Sequence, residues 1–346
     1  MYANRHVIHL RIVVPSYQSE HALELLDHIP SVCNLVYLER AARKPEGDVI
    51  LCDVAREDAS VVVSDLRELD IDIEGSIAME EIDSQISAAA LRAEKAAPGA
   101  PSDAVVWEEV EARTSENVEL SASFIAFMAL AMMIAAVGII TDQVVLIIGA
   151  MVVGPEFGPL AGLCVAAVQL RANLLRRSLI ALVVGFPVGI TAAFLLSLLL
   201  NVTGLAPDDF AQEDHPFTEF ISDPDFFSFL VAYLAGTAGV LSLTAAKSGA
   251  LIGVLISVAT IPAAANIGVA AAFGDWSEWV GAMLQLSLNL GAIVLAGVGT
   301  LFLQRRLYKR RRLDHLRQAG AREAAGLPVG RSRRDRARDE EPTASP

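Results

Sequence analysis

Six long apolar stretches follow one another between residues 118 and 303, and short polar segments separate them. Each stretch approaches the about 20 apolar residues that a helix needs to cross the roughly 30 Å hydrocarbon core of a bilayer. The pattern therefore predicts an α-helical polytopic membrane domain over residues 118–303. Its six spans are predicted at residues 118–140, 142–168, 179–201, 226–246, 248–273 and 279–303.

The polar segments between the spans sort by charge. The connections at 138–143, 202–225 and 273–278 contain no Lys or Arg, and basic residues follow the other spans: Arg171, Arg176, Arg177, Lys247, Arg305 and Arg306. Because basic loops stay on the cytoplasmic side, we predict a multi-pass protein of the cell (inner) membrane with both termini in the cytoplasm. These residues are interpreted as topology determinants, with anionic lipid binding as the alternative.

A period of two residues marks the beginning of the chain. Ile8, Leu10 and Ile12 alternate with His9 and Arg11, which is typical of a half-buried strand. Helical spacing and strand patterns then alternate along helix 19–29, strands 32–39 and 48–54, helix 58–69 and strand 71–80. The order βαββαβ predicts a ferredoxin-like α+β cytoplasmic domain over residues 1–83.

Two polar segments flank the predicted spans. Residues 84–117 are predicted to be a helical linker, and residues 304–346 a basic, disordered tail. The net charge of −14 is unevenly distributed, with −13 over residues 1–117 and +7 over residues 304–346. Because phosphate contacts need a basic surface, the acidic front argues against nucleic-acid binding.

The second span contains an unusual run of residues at its middle. Two prolines remove backbone donors and two glycines remove side chains within Gly154, Pro155, Glu156, Phe157, Gly158 and Pro159. A carboxylate at this depth costs several kcal/mol unless it is neutralised or solvated. We therefore predict a broken helix, with Glu156 facing a cavity, a partner helix or the protein interior.

The fifth span also contains a proline near its middle. Thr260, Pro262 and Asn266 predict a second broken helix there. Spans one to three and four to six then form two halves of opposite orientation, each with a broken middle helix. Such paired breaks indicate a midplane substrate or ion site in secondary transporters, which Gln285 and Asn289 on the sixth span would also line.

A purely structural interpretation remains open for each of these features. Prolines and glycines are common in membrane helices, and Glu156 could be a buried, protonated residue that bonds a neighbouring helix. Small residues recur every four positions at Gly154, Gly158 and Gly162, and again at Gly249, Gly253 and Ser257. Such stripes are typical of close helix packing, and their number favours a homo-oligomer.

Enzyme and metal chemistry find little support in the sequence. The three cysteines have no C-x-x-C spacing, and no histidine lies in a predicted span. Nucleophile-elbow, zinc-protease and phosphate-loop motifs are absent. We therefore predict no catalytic activity, no cofactor and no metal site.

Several motifs resemble a membrane family known as domain of unknown function 389. They are residues 106–110, 147–155, 158–160, 235–239 and 256–268. Where the family commonly reads Ser-Pro-Leu-Met-Gly-Pro, this chain has residues 154–159, and where it has two adjacent prolines, this chain has Pro262 and Ala263. The resemblance implies no established activity, and the departure at Glu156 means that the carboxylate is not a general feature of the family.

Two functional hypotheses follow. The first is a membrane transporter or channel for a small solute or ion, with its site at the two breaks and a regulatory or assembly role for the cytoplasmic domain. The second is a membrane-anchored sensor or scaffold without transport activity. In both, the partners are the lipid bilayer and further copies of the chain.

Overall fold

The computed structural model describes residues 7–82, 87–97, 104–207, 224–244 and 252–324. The chain divides into two compact units, which are described separately. The sheet unit comprises residues 1–108, 244–246 and 306–346, and the helical unit comprises residues 109–243 and 247–305. The domain boundaries after residues 83, 117 and 303 stay predictions.

The sheet unit contains four strands and four complete helices among its described residues. In chain order they are β1 (Val7–Val14), α1 (Ser19–Asp27), β2 (Val32–Arg43), β3 (Glu46–Ala55), α2 (Ala59–Glu68), α3 (Ile71–Glu74), β4 (Ser76–Glu81) and α4 (Ala88–Ala96). The strand order is β2-β3-β1-β4, and every neighbouring pair is antiparallel. The apolar positions of β1, including Leu10 and Ile12, pack against Leu26 of α1 and Leu66 of α2.

The predicted last strand, 71–80, is wrong in its first half. Residues Ile71–Glu74 form the short helix α3, and β4 begins only at Ser76. Asp70 has a left-handed backbone with φ of 57°, which turns the chain, and Ile71 is buried in the core. Burial of Ile71 and this turn together override the apparent strand pattern.

Strand β2 is irregular at two places, and a carboxylate of β3 lies at each. Its register against β3 shifts between Cys33 and Val36 and again between Leu38 and Ala42. The left-handed residues are Asn34 and Arg40, with φ of 53° and 50°. Such bulges bend a strand and leave residues unpaired, so their backbone groups need other partners.

Asp53 anchors the first bulge. The Asn34 amide donates to Asp53 Oδ2 at 2.6 Å, and His9 Nδ1 lies 2.7 Å from Asp53 Oδ1. Burial, together with the Asp53 charge, raises the pKa of the Cys33 thiol to about 11. Cys33 is therefore protonated at neutral pH and is a poor nucleophile.

Asp48 anchors the second bulge and is almost fully buried, with 1% of its surface exposed. It accepts hydrogen bonds from the Arg40 backbone N–H at 2.7 Å, from Ser19 at 2.6 Å, from Tyr37 at 2.8 Å and from Ser16 at 3.1 Å. Burial opposes ionisation of this carboxyl, but the hydrogen bonds outweigh it and lower its pKa from 3.8 to about 2.

This lowered pKa predicts a specific acid sensitivity. A carboxyl whose pKa is lower in the folded state stabilises the fold above its unfolded-state pKa, and the contribution disappears as the pH falls through the folded-state value. As the pH is lowered from about 4 to about 2, we therefore expect the thermal unfolding midpoint of the full-length protein to fall. It should fall more steeply than the midpoint of Asp48→Asn. Thermal unfolding across this range checks it; parallel curves for the two proteins would contradict the assignment.

The helical unit contains long apolar helices. After α5 (Trp107–Asn117) come α6 (Ala122–Ile140), α7 (Val144–Val153), α8 (Phe157–Gln169), α9 (Ala172–Val202), α10 (Phe226–Thr244), α11 (Ile252–Phe273) and α12 (Trp276–Ala324). The start of α5, the last residue of α10 and residues 306–324 of α12 are counted with the sheet unit. Four helices are long and apolar enough to cross a membrane, or five if the bent pair α7–α8 is one span. The segment Thr260–Phe273 of α11 is a shorter apolar helix. The described residues thus belong to a multi-pass membrane protein, and the number of six spans stays a prediction.

The predicted break of the fifth span is wrong. Helix α11 continues from Ile252 to Phe273 with Pro262 inside it. A proline removes one helical hydrogen bond, which neighbouring helices can compensate in a membrane. Here the flanking Ile261 and Ala263 are buried, and a Cβ on Gly268 would lie 2.7 Å from the Ile190 carbonyl of α9. Close packing against α9 holds the helix together through its proline.

The predicted disorder of the tail is wrong for residues 304–324. Helix α12 continues without interruption to Ala324, and residues 325–346 lie outside the described part of the chain. The extension is rich in Arg, Leu and Ala, which are strong helix formers. Within the sheet unit, Tyr308 packs edge-on against Trp107 and donates to the Ser60 carbonyl at 3.3 Å.

Candidate functional site

A sharp break separates α7 from α8. The two helices meet at 54° across Gly154, Pro155 and Glu156. Pro155 has no N–H to bond the carbonyl of Met151, so one helical hydrogen bond is missing at the place where the chain bends. The break therefore leaves the C-terminal carbonyls of α7 and the N-terminal N–H groups of α8 facing the same place.

Glu156 lies at this break and is fully buried, with 0% of its surface exposed. The Thr260 hydroxyl of α11 donates to Glu156 Oε1 at 2.9 Å, and Thr260 is itself fully buried. Two residues predicted from separate spans are thus brought together across 104 positions of sequence. The positive end of the α8 dipole also points at Glu156 and favours a negative charge there.

Gly154 provides the space for this carboxylate. A Cβ at Gly154 would lie 2.5 Å from Glu156 Oε2 and 2.9 Å from Ile261 Cγ1. Real Cβ atoms essentially never come so close, so any larger residue would displace one of the two side chains. The glycine is therefore part of the site and not only a point of flexibility.

The first turn of α8 carries the remaining predicted residues of the break. Gly158 and Pro159 are buried, and Phe157 is half-buried against an apolar cluster that contains Leu160 and Ile293. These three residues pack the start of α8 into the unit. They hold the break in place and offer no side-chain polar group.

Asn266 does not join Glu156. Its amide Nδ2 donates to Glu278 Oε2 at 2.9 Å, near the beginning of α12. Glu278 was missed by the sequence reasoning, because its position at the edge of a span resembles an ordinary helix-start acid. Pro262 is buried inside α11, two residues after Thr260.

Gln285 and Asn289 lie one turn apart on α12, and both are buried, with 5% and 2% of their surfaces exposed. Two amides inside an apolar unit need polar partners, because an unsatisfied buried amide costs a few kcal/mol.

The residues predicted for helix packing are only partly described. Gly162 packs α8 against α9, since a Cβ there would lie 2.6 Å from Ser178 Oγ. Gly249 lies outside the described residues. Gly253 and Ser257 lie within helix α11, and their side-chain contacts lie outside the described part of the structure.

The basic residues occupy the ends of the helices. Arg171 Nη2 pairs with Glu111 Oε2 at 3.1 Å, and Arg305 donates to the Val168 carbonyl at the end of α8. Arg176 and Arg306 are exposed and Arg177 is half-buried. Lys247 lies outside the described residues. Arg305 thus lies at the C-terminal end of α8, where a positive charge complements the helix dipole.

Metal ligands of the usual kind are not grouped in this protein. Within the described ranges there is no cluster of three or more His, Cys, Asp or Glu side chains that could hold a metal ion. Among the described residues, the polar side chains that the structure brings together at the break are the Glu156 carboxylate and the Thr260 hydroxyl.

These apolar helices and the buried polar break define the chain as a multi-pass membrane protein. Residues 151–295 match the family described as Domain of unknown function (DUF389), which confirms the resemblance over this segment. A protein of Methanocaldococcus jannaschii, described as uncharacterized, is 25% identical over 194 residues. That match covers 56% of this chain and 58% of the relative, a little more than half of each. No solved structure matches the chain.

Proposed function

We propose that this protein is a transporter or channel for a small solute or ion, with its site at the break between α7 and α8. It would work as a homo-oligomer in the cell membrane, with six spans, both termini in the cytoplasm and no catalytic activity. The charge distribution of the connecting segments supports this orientation.

One observation carries the proposal: a fully buried carboxylate lies beside irregular backbone in the middle of an apolar unit. Irregular backbone at membrane depth is tolerated only where it is buried in protein or lines water. An intramembrane carboxylate is costly, so its presence indicates a function. The break and Glu156 together match the discontinuous helices that bind substrates and coupling ions in secondary transporters.

The two proposed halves of opposite orientation, spans one to three and spans four to six, form an inverted repeat. They contribute differently to the site. Helix α11 is continuous and supplies Thr260, two residues before Pro262, to the carboxylate of the broken helix. The site therefore needs one broken helix and one proline-containing helix. A proline there weakens α11 at the level of the site, where a movement of its Thr260 would open or close access to Glu156.

A ferredoxin-like front domain is supported by the sheet. The strand order β2-β3-β1-β4, with helices between β1 and β2 and between β3 and β4, is the arrangement that a split βαβ pattern produces. We assign this unit a regulatory or assembly role, because its strongly anchored bulges make it a rigid module without a reactive thiol.

A flux measurement tests the proposed function. In liposomes containing the full-length protein, we expect movement of protons, followed by an internal pH dye, or of radioactive sodium. Glu156→Gln keeps the side-chain shape but removes the charge, so it should reduce this flux at least tenfold, in line with the loss of an essential charged group. Glu119→Gln, an exposed residue before α6, serves as the matched control and should behave as wild type.

Three outcomes separate the hypotheses. Equal flux in wild type and Glu156→Gln would remove this residue from the mechanism. Absence of both proton and sodium flux in well-folded wild-type protein would favour the membrane-anchored sensor or scaffold. Loss of flux in Glu119→Gln as well would point to a general electrostatic effect and count against a site at the break.

A further inference from the structure

Helix α12 carries a polar stripe, which consists of Glu278, Gln285 and Asn289. These residues follow one another at spacings of seven and four, so they lie within about 40° of one another around the helix axis. Gln285 and Asn289 are buried. Ala282 and Leu286, on the same side of α12, belong to the apolar core of the helical unit. The polar stripe therefore faces the interior of this unit.

The opposite side of α12 is exposed. Val280, Leu284 and Ser287 lie there, and each of them is exposed. Polar and ionisable residues of membrane helices almost always face the interior of the helix bundle or a water-filled cavity, whereas the exposed side meets lipid. The body of α12 therefore separates the polar stripe from the bilayer.

Glu278 begins the polar stripe beside the turn that joins α11 to α12. Asp275 caps α12, since its Oδ1 accepts from the Glu278 backbone N–H at 3.0 Å. An acid at the position of Glu278 often bonds back to the backbone N–H of the capping residue. Here that N–H donates to the Ala270 carbonyl at 3.0 Å, and the Glu278 carboxylate accepts from the buried Asn266 amide of α11 at 2.9 Å. The side chain thus reaches the neighbouring helix and does not cap its own.

Two tryptophans indicate the depth of Glu278. The rings of Trp276 and Trp279 pack edge to face, with 6.1 Å between their centroids. Tryptophan is enriched at the boundary between the membrane and water. Glu278 lies between these two residues in the sequence, and Gln285 follows seven residues later, about 10 Å further along α12. The polar stripe therefore leads from the membrane boundary into the apolar region.

Gln285 contributes a buried acceptor to the polar stripe. Its Oε1 accepts no hydrogen bond from any described residue, although the side chain is almost fully buried. A buried polar group without a partner is unfavourable, and such groups in native proteins are usually completed by water or a ligand. The position therefore favours the presence of water or a polar cargo beside the polar stripe.

The charges at this end of the membrane domain are negative. In the proposed six-span arrangement, the connections 138–143, 202–225 and 273–278 share one side of the membrane. They contain ten Asp and Glu residues and no Lys or Arg. A surface with one sign of charge concentrates ions of the opposite sign and repels ions of its own sign. Cargo that enters from this side is therefore expected to be positively charged.

We propose that the polar stripe of α12 lines an entry path from the α11–α12 turn into the helical unit, and that Glu278 selects small cations at its mouth. Asn266 orients the carboxylate toward the interior. Carboxylate and amide oxygens are groups that attract and bind cations. This inference rests on the proposed function and assigns a charge to its cargo.

Thiol modification tests the entry path without requiring transport. Full-length Gln285→Cys in liposomes would be treated from outside with a positively charged or a negatively charged methanethiosulfonate reagent, and both rates followed by mass spectrometry of the modified peptide. We expect both reagents to react. Relative to a free thiol, the positive reagent should be favoured roughly tenfold, because a negative entry attracts it. Adding Glu278→Gln should lower this preference by roughly threefold or more, since one nearby charge is removed.

A matched control comes from the next position of the same helix. Leu284 lies at the same depth on the exposed side of α12, so Leu284→Cys should face lipid, react slowly with both reagents and ignore Glu278→Gln. The proposal is overturned if Gln285→Cys reacts no faster than Leu284→Cys, or if the negative reagent is favoured. An unchanged preference in the presence of Glu278→Gln would remove Glu278 from the selection.

Salt provides a second measurement that needs no substitution of Glu278. Raising the salt concentration screens exposed charges, so the preference of Gln285→Cys for the positive reagent should decrease. If the Glu278→Gln protein does not fold, this measurement decides. A preference that is the same at low and high salt would contradict selection by charge.

The entry path and the transport function can fail separately. A preference for the positive reagent at position 285, without any flux in liposomes, would keep the polar entry and remove the transport function. Flux that depends on Glu156, while Gln285→Cys stays unreactive, would keep the transport function and remove this entry path.

Discussion

Gly154→Ala is expected to lower the unfolding midpoint of the full-length protein in detergent, whereas Gly149→Ala leaves it unchanged or slightly higher. The Cβ at position 154 would lie 2.5 Å from Glu156 Oε2 and 2.9 Å from Ile261 Cγ1, so the carboxylate or α11 must move. Forcing extra atoms into a packed interior costs about 1–3 kcal/mol. At Gly149, on the same helix, an added Cβ meets nothing within 4 Å.

A second substitution identifies the cause of this loss. In Gly154→Ala combined with Glu156→Asp, the shorter side chain withdraws its oxygens from the new methyl group, and part of the stability should return. Similar losses at positions 149 and 154 would mean that α7 tolerates no added methyl group anywhere. An unchanged midpoint in Gly154→Ala alone would contradict the packing of the carboxylate against the glycine.

Asp48→Ala is expected to destabilise the sheet unit strongly. The substitution leaves four donors without their acceptor: the Ser16, Ser19 and Tyr37 hydroxyls and the Arg40 backbone N–H. Each unsatisfied buried donor costs about 1–3 kcal/mol, and water reaches some of them, so we expect a total of about 3 kcal/mol. The unfolding free energy of this unit should fall accordingly.

Hydrogen exchange of the β2 and β3 amides is the measurement of choice, because it reports on the bulge directly. Exchange should accelerate on both sides of Arg40 in Asp48→Ala. The control is Asp27→Ala at the exposed end of α1, where little change is expected. Equal protection of β2 in wild type and Asp48→Ala would show that the bulge holds without its carboxylate.

The features that depend on neighbouring residues in the chain could be predicted from the sequence. The alternation of Ile8, Leu10 and Ile12 predicted β1, since period-two burial is a direct consequence of strand geometry. The break at Pro155 was predictable because a missing N–H acts on its own helix. Glu156 was identifiable as a site residue from its depth in an apolar segment alone.

Long-range contacts decided the features that were predicted wrongly or not at all. Pro262 resembles a helix breaker, yet packing around Gly268 against α9 keeps α11 continuous. The partner of Asn266 is Glu278, in a different helix. The left-handed residues Asn34 and Arg40 depend on Asp53 and Asp48, 19 and 8 positions away, and neither is glycine. Asn tolerates this backbone conformation better than most residues, but Arg40 carried no turn signal in the sequence.

The two bulges of β2 also determine how this molecule behaves beside its own copies. As the outermost strand, β2 would otherwise display a long row of free peptide groups, with Val36, Tyr37 and Leu38 exposed, and would be a template for aggregation. The kinks at Asn34 and Arg40 interrupt that row, and the charged Glu39 and Arg43 would lose hydration if an apolar strand paired beside them. When many copies crowd the same membrane surface, their sheets are thereby kept from fusing edge to edge.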